Sequence, residues 1–369
     1  MTSLKKTSLP SGVGIAFAAA ALFGVSTPFA KLLLGAMSPV LLAGLLYLGS
    51  GIGLLAVRFW RQSSTRSDHD EAALPRSQWP WLAGAVLFGG VLAPVLLMLG
   101  LRSTTAASSS LLLNFEGVFT AALAWFVFRE NFDRRIALGM LAIVAGGVVL
   151  SWQPRGLEIS SGAWLVIVAC ACWGVDNNLT QKVSASDPFQ IASIKGLAAG
   201  SVNLVIALSL GASWPPFRVL VGALVVGFFG YGLSLAFFVL ALRHIGTART
   251  GAYFSLAPFI GALVALPLLH EAVPNTFWLA AALMAGGVWL HLTERHAHEH
   301  AHQTLEHAHR HLHDEHHRHQ HAPNVDTREP HTHSHFHQPM THAHAHFPDI
   351  HHRHNHTESA TFPKDENAQ

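Results

Sequence analysis

Apolar residues form long runs along the first 295 positions of the chain, separated by short stretches that carry charge, proline or glycine. A run of about 20 apolar residues crosses a bilayer core of about 30 Å as a helix. The runs are apolar on every face, unlike the amphipathic helices of soluble proteins. The pattern predicts an all-α membrane protein with ten spans, at residues 12–34, 39–59, 80–101, 105–128, 134–152, 161–182, 189–210, 218–241, 247–268 and 275–293.

Composition supports a membrane protein. The chain is 50% hydrophobic and 12% charged, whereas an average soluble domain carries about 25% charged residues. Cys170 and Cys172 lie two positions apart in one predicted span, so they point to different faces of a helix and cannot pair with each other. The sequence therefore predicts no disulfide framework.

Lysine and arginine predict the orientation, because cytoplasmic loops carry the positive excess. With the N-terminus inside, thirteen basic residues fall on the cytoplasmic side: Lys5, Lys6, Arg58, Arg61, Arg66, Arg76, Arg129, Arg134, Arg135, Lys182, Arg243, Arg249 and Arg295. Four fall on the outer side: Lys31, Arg102, Arg155 and Arg218. We expect a multi-pass protein of a bacterial-type plasma (inner) membrane with both termini in the cytoplasm.

The two halves of the apolar region resemble each other. Four short matches recur in the same order: FGV at 23–25 and WGV at 173–175, LR at 101–102 and 242–243, E at 130 and 271, and AGGV at 145–148 and 285–288. This order indicates a duplication, with a cytoplasmic N-terminus at 1–11, a first repeat at 12–152 and a second at 161–293. Because each repeat has five spans, an odd number, the second copy is inverted relative to the first. Inverted repeats are typical of secondary transporters, whose substrate site lies near the midplane.

The stretch LLLNFEGVFTAALAWFVFRE at 111–130 and its echo YFSLAPFIGALVALPLLHE at 253–271 resemble the EamA type of the drug/metabolite transporter superfamily. The resemblance covers about residues 12–293 and implies a ten-helix carrier, usually an exporter of small metabolites. Many relatives have a proline where this chain has Gly117, while the second copy has Pro258. We expect no enzyme, since the sequence shows no catalytic set of nucleophile and base, and no ATPase within the chain, since nothing resembles a phosphate-binding loop. We also expect no nucleic-acid partner.

Polar and ionisable side chains within spans are candidates for a substrate or ion pathway, because such groups are costly in a bilayer. Glu116 lies at the centre of the fourth span, two residues after Asn114. Its carboxylate can bind a proton or a cation; the alternative is a structural hydrogen bond to another helix. The sixth span carries Asp176, Asn177 and Asn178 in sequence, so at least one of them faces the interior of the bundle.

Four further features of the spans suggest weaker hypotheses. Lys195, in the seventh span, is expected to extend its ammonium to the membrane interface; an ion pair with Asp176 is the alternative. Cys172, Asp176 and Thr180 share a helix face and could form a transient metal path, although cysteines in such positions are commonly packing residues.

Pro28 is expected to interrupt the first span at the place that matches the Asp176 run, which points to the substrate site. The small-residue pairs at 142/146 and 282/286 predict close helix packing, within the monomer or in a homodimer.

Histidine dominates the C-terminal tail at 296–369. All of the 27 histidines except His69, His244, His270 and His291 lie there, which is 27 − 4 = 23. Apolar residues are scarce in this segment, so we expect it to be disordered. Neutral imidazole is a good ligand for nickel, cobalt and zinc. No cofactor is required, but we expect the tail to bind these divalent metals; its candidate ligands are His296, His298, His300, His302, His342, His344, His346, His351, His352, His354 and His356.

Three functions stay open on this evidence. The favoured one is a divalent-metal exporter, whose tail gathers nickel, cobalt or zinc before the ion enters the membrane core. The alternative is an exporter of a small organic metabolite or amino acid, with a metal-sensing tail. A membrane-anchored metal buffer is the third, but an inverted repeat of ten spans is more than an anchor requires. The expected partners are the lipid bilayer and a small solute or divalent metal.

Overall fold

The computed structural model describes residues 11–64, 74–127, 134–153, 156–157, 160–183 and 187–292, together with four short segments of the tail. The chain divides into two units, Met1–Glu294 and Arg295–Gln369. In the first unit the described α-helices are α1 (Ser11–Leu33), α2 (Pro39–Ser64), α3 (Trp79–Ala85), α4 (Ala93–Ser103), α5 (Ala106–Leu112), α6 (Phe115–Phe126), α7 (Arg134–Leu150), α8 (Ser161–Gln181), α9 (Pro188–Ser209), α10 (Phe217–Gly227), α11 (Ser234–Phe254), α12 (Ala257–Leu269) and α13 (Asn275–Leu292).

Three short helical segments and one small β-pair complete this unit. A 3₁₀ turn at Arg76–Gln78 precedes α3, and π-helical segments at Val86–Leu92 and Phe228–Leu233 join α3 to α4 and α10 to α11. Strands β1 (Trp152–Gln153) and β2 (Gly156–Leu157) pair antiparallel between α7 and α8.

Long apolar helices confirm that the chain is an all-α, multi-pass membrane protein. Within the described residues, seven helical segments are long and apolar enough to cross a bilayer: Gly12–Leu33, Pro39–Trp60, Arg76–Ser103, Ala106–Phe126, Ser161–Gln181, Phe189–Ser209 and Phe217–Ala241. Two further apolar helices, Ala257–Leu269 and Asn275–Leu290, are shorter. The count of ten spans stays a prediction.

The boundary that the sequence predicts between the eighth and ninth spans, at residues 242–246, is wrong. Helix α11 continues through it to Phe254, and the chain breaks instead at Ser255–Leu256. Charged residues and one glycine suggested a loop there, but neither ends a helix by itself, since a single glycine costs only about 1 kcal/mol relative to alanine.

Pro28 also behaves differently from the expectation. Helix α1 is continuous from Ser11 to Leu33 with Pro28 inside it. Proline removes one backbone donor, but membrane helices tolerate it where neighbouring helices accommodate the freed carbonyl. The interruptions lie instead at Leu113–Asn114 and Ser255–Leu256. Asn114 and Ser255 are 255 − 114 = 141 residues apart, the offset at which Glu130 recurs as Glu271, so both copies break at the same place.

Helix packing follows the duplication. Helix α1 of the first repeat packs against α11 and α12 of the second, while α8 of the second packs against α4 and α6 of the first. The equivalent pairs α2 with α9 and α7 with α13 also pack against each other. Close approach is possible because small residues meet: a Cβ on Gly287 would lie 2.6 Å from Gly139 O, and one on Gly146 would lie 3.0 Å from Ala280 O. Of the two predicted pairs, Gly146 of the first therefore packs within the monomer, whereas Ala282 and Gly286 of the second are exposed and a Cβ on Gly286 would meet no atom within 4 Å. A homodimer stays a prediction.

Four segments of the tail unit are described as strands: β3 (Ala297–Ala301), β4 (Leu305–His311), β5 (His331–His337) and β6 (Thr341–Ala345). They form two separate antiparallel pairs, β3 with β6 and β4 with β5. An isolated two-stranded pair is marginally stable in water, so these pairs do not supply the core that the sequence lacks. The rest of the tail, including candidate ligands His296, His302, His346 and those at 351–356, lies outside the described residues.

Candidate substrate site

A proline near the middle of the membrane-length helical segment Arg76–Ser103 frees two backbone carbonyls. In the π-helical segment Val86–Leu92, the amide of Ala93 donates to Phe88 O, one residue further back than in an α-helix. The next residue is Pro94, which has no amide hydrogen. Gly89 O and Gly90 O are the acceptors that this donor would reach in a π- or an α-helix, so both need other partners.

Side chains from three other helices supply those partners. Tyr47 Oη donates to Gly89 O at 2.6 Å, and Trp173 Nε1 donates to the same oxygen at 3.1 Å. Asn203 Nδ2 donates to Gly90 O at 3.2 Å, the helix–helix contact expected of this residue type in a membrane. The sequence analysis does not identify Tyr47 and Trp173. The available signal is Pro94, which leaves the carbonyls of Gly89 and Gly90 in need of donors from other helices.

Asp176 and Lys195 form a buried ion pair between α8 and α9. Lys195 Nζ donates to both carboxylate oxygens, at 2.6 Å from Oδ1, and the two side chains are only 6% and 11% exposed. Thr180 Oγ1 donates to Asp176 Oδ1 at 2.9 Å. The expectation that Lys195 extends to the interface is therefore wrong, because a carboxylate on the neighbouring helix lies within reach of its ammonium.

Glu116 lies next to this pair, at the start of α6. Asn177 Nδ2 donates to Glu116 Oε1 at 2.9 Å and lies 3.2 Å from Thr120 Oγ1. Asn177 directly follows Asp176 on α8, so its contact with Glu116 places the carboxylate of Glu116 on the same part of α8 as the ion pair. We call Glu116, Thr120, Asp176, Asn177 and Lys195 the polar cluster; with its carboxylates ionised, it carries two negative charges and one positive charge.

Three of the predicted site residues lie outside the polar cluster. Asn114 Nδ2 donates to Leu111 O at 2.9 Å, within one turn of chain. Asn178 Nδ2 donates to Gly174 O at 2.8 Å and also to Thr120 O on α6 at 3.2 Å, so it links α8 to α6 beside the polar cluster. Cys172 is half-buried and is not grouped with metal ligands. Across the described residues, no three side chains of His, Cys, Asp or Glu could hold a metal ion together. The suggested metal path along α8 finds no support, since Lys195 occupies the Asp176 carboxylate.

The two carboxylates of the polar cluster have no charged counterpart at the matching position of the other repeat. Glu116 matches Ala257 at the offset of 141, since 257 − 116 = 141. Asp176 matches Ser26 at the offset of the FGV and WGV stretches, since 173 − 23 = 176 − 26 = 150. The π-helical segments at Val86–Leu92 and Phe228–Leu233 recur in both repeats, whereas the ionisable groups of the polar cluster do not.

A family model described as the EamA-like transporter family matches residues 10–152 and again residues 160–293. The chain belongs to the EamA-like transporter family. Two matches to one model confirm the duplication that the short repeated motifs predicted. The chain is accordingly a membrane transporter.

Named relatives agree with this assignment. An uncharacterized transporter of Methanothermobacter thermautotrophicus is 31% identical over 73% of this chain and 82% of its own. The probable amino-acid metabolite efflux pump of Salmonella typhimurium is 26% identical over 51% of this chain and 67% of its own. The probable 4-amino-4-deoxy-L-arabinose-phosphoundecaprenol flippase subunit ArnE of Pseudomonas paraeruginosa is 42% identical over 31% of this chain and 96% of its own. All are similar to this chain and none is named as an enzyme.

A crystal structure of another protein aligns with this chain at a TM-score of 0.56 and 18% identity, covering 77% of this chain and 96% of its own. At that identity the alignment establishes a shared fold and nothing about the substrate.

Proposed function

We propose that this EamA-type transporter exports a small organic solute that carries both an amine and a carboxylate, and that the polar cluster binds it. The observation that carries the proposal is the contact of Glu116 with Asn177, the residue that follows Asp176 of the Asp176–Lys195 pair on α8. Lys195 neutralises the charge of Asp176. Glu116 accepts a hydrogen bond from Asn177 and, among the described residues, has no Lys or Arg within ion-pair distance. A substrate ammonium is the group that Glu116 then binds best.

The carboxylate of the substrate would bind Lys195. An ion pair between two buried side chains is balanced by the cost of removing both charges from water, so a substrate carboxylate can compete with Asp176 for the same ammonium. Exchange of partners at Lys195 would couple binding to movement of α8 relative to α9. A relative of this chain named as an amino-acid metabolite efflux pump supports this substrate class.

Counterflow in proteoliposomes tests this proposal. Liposomes that contain the purified chain are loaded with an unlabelled mixture of amino acids, and uptake of each radiolabelled amino acid is followed. We expect exchange of at least one amino acid, and its loss in Glu116→Gln and in Lys195→Met. Ser209→Ala, at the exposed end of α9, is the matched control and should leave exchange unchanged. Exchange that survives both cluster substitutions would reject the site.

Divalent-metal export is the second candidate, and one observation favours it: the 23 histidines of the tail, counted as 27 − 4. The metal would be substrate in this case, gathered by imidazoles before it reaches the membrane core. The test is the total nickel, cobalt and zinc content of a metal-sensitive host. Three versions of the protein are compared: the full-length chain, a chain stopped after Arg295, and Glu116→Gln. Lower cell metal with full-length chain, restored by Glu116→Gln, would favour metal export. Higher cell metal that the truncation abolishes would mean that the tail only holds ions.

A further inference from the structure

One turn at the end of the bundle is held from two sides. Lys31 Nζ on α1 donates to Leu101 O in the last turn of α4 and to Thr104 O, in the turn between α4 and α5, at 2.7 Å. Glu271, just after α12, accepts from Ala106 N at 2.7 Å and from Ala107 N at 2.8 Å. We call these contacts the Lys31–Glu271 latch. Both side chains of the latch are charged, while their direct partners in the turn are backbone groups.

The backbone at the end of α12 is shaped to make this contact. His270 has φ 52°, in the left-handed region, and its amide donates to Leu266 O. This conformation is uncommon outside glycine and costs free energy, so surrounding contacts must hold it in place. It ends α12 and turns Glu271 toward the first repeat. Hydrogen bonds to an ionised carboxylate are stronger than those between neutral groups, so the two bonds from Ala106 N and Ala107 N hold Glu271 firmly on the turn.

The Glu271 contacts join the two repeats, while Lys31 holds the same turn from within the first repeat. Lys31 and the α4–α5 turn belong to the first repeat, whereas Glu271 belongs to the second. From Ala106, ten residues lead along α5 and α6 to Glu116, which is about 15 Å of helix. The interruption at Leu113–Asn114 lies between them, so movement of α5 can be taken up there without unfolding α6.

Inverted-repeat transporters open one end at a time by moving one half against the other. A contact between the halves at one end must break whenever that end opens. We propose that the Lys31–Glu271 latch is the gate at this end of the bundle: it is formed when the end is closed and released when the end opens toward the polar cluster. This inference rests on transport by alternating access and not on the substrate class, so its test uses no substrate.

Ser110 is a reporter for the latch. It is 0% exposed and lies one turn after Ala106 on α5, and its hydroxyl has no hydrogen-bond partner among the described residues, so Ser110→Cys removes no bond. In nanodiscs both ends of the bundle meet water. The rate of labelling by a membrane-impermeant methanethiosulfonate is measured on Ser110→Cys in a Cys170→Ala, Cys172→Ala background. We expect Glu271→Gln and Lys31→Met each to raise this rate by about tenfold or more, and Lys31→Arg to change it less.

Two further reporters separate gating from general loosening. Ser209→Cys is exposed and should label at one rate in every background. Ser193→Cys is buried near the start of α9, about 16 Å of helix before Leu204, whose backbone lies beside Gly44 near the start of α2. Its labelling should not rise with Glu271→Gln. An unchanged rate at position 110, or an equal rise at positions 110 and 193, would overturn the gate and leave a purely structural contact.

Discussion

Asp176 and Ser26 occupy matching positions of the two repeats, and each packs against a glycine of the other repeat. A Cβ on Gly89 would overlap the carboxylate of Asp176, and a Cβ on Gly230 would overlap the side chain of Ser26. The two glycines are 230 − 89 = 141 residues apart and lie in the two π-helical segments. π-helical segments occur frequently at functional sites. Here the same backbone arrangement is built twice but carries a buried charge only once.

Removing one charge of the Asp176–Lys195 ion pair should destabilise the protein more than removing both charges. Lys195→Met leaves Asp176 buried without a counter-ion, which costs about 3–5 kcal/mol. We expect the double variant Lys195→Met, Asp176→Asn to recover most of that loss, because no isolated charge is left. Thermal unfolding of the detergent-solubilised protein measures both. A double variant no more stable than the single one would show that the pair does not act as a unit.

Gly89 should not tolerate a side chain. Gly89→Ala pushes a methyl group into the Asp176 carboxylate, so we expect a loss of about 1–3 kcal/mol together with a fall in transport. Gly286→Ala is the matched control, because a Cβ there meets no atom within 4 Å. In the control the higher helix propensity of alanine should leave stability unchanged or raise it by up to about 1 kcal/mol. Equal effects of the two substitutions on the unfolding temperature would contradict this account.

Tyr47 and Trp173 should show non-additive effects, since both donate to Gly89 O. Tyr47→Phe removes one donor but leaves the other, so we expect a loss of about 0.5–1.5 kcal/mol. Replacing Trp173 as well leaves Gly89 O without a side-chain donor. We therefore expect the double variant to lose more unfolding free energy than the two single variants together. A double-mutant cycle on unfolding free energies measures the coupling. Strict additivity would mean that the carbonyl finds another partner, such as a water molecule.

The orientation predicted from lysine and arginine can be checked directly. A peptide tag after Gln369 should not be reached by antibody added to intact cells, and should be reached after the cells are permeabilised, because the tail is predicted to lie in the cytoplasm. A matched tag in the loop between α9 and α10, at residues 211–216, should be reached from outside. Reversed results for the two tags would invert the predicted topology.

Much of the architecture was predictable from the sequence because it depends on local properties. The length and polarity of an apolar run decide whether it crosses a bilayer, and the matched FGV and WGV stretches indicate duplication by residue identity alone. Glu116 and Asp176 were also recognisable as candidates, since a charge in a span is costly wherever the helix packs. The break after Phe254 was misplaced because charge indicates a loop only indirectly.

The partners of these charges were decided only by the tertiary structure. Lys195 has a stem long enough to reach either the membrane interface or a neighbouring helix, and the packing of α9 next to α8 places its ammonium on Asp176. Glu271 lies at a helix end in the sequence, yet its hydrogen bonds are to amides that are 271 − 106 = 165 and 271 − 107 = 164 residues away. The sequence determines which segments cross the membrane and which side chains cost free energy to bury there. Which groups offset that cost depends on helix packing, because hydrogen bonds and ion pairs act only over a few ångströms.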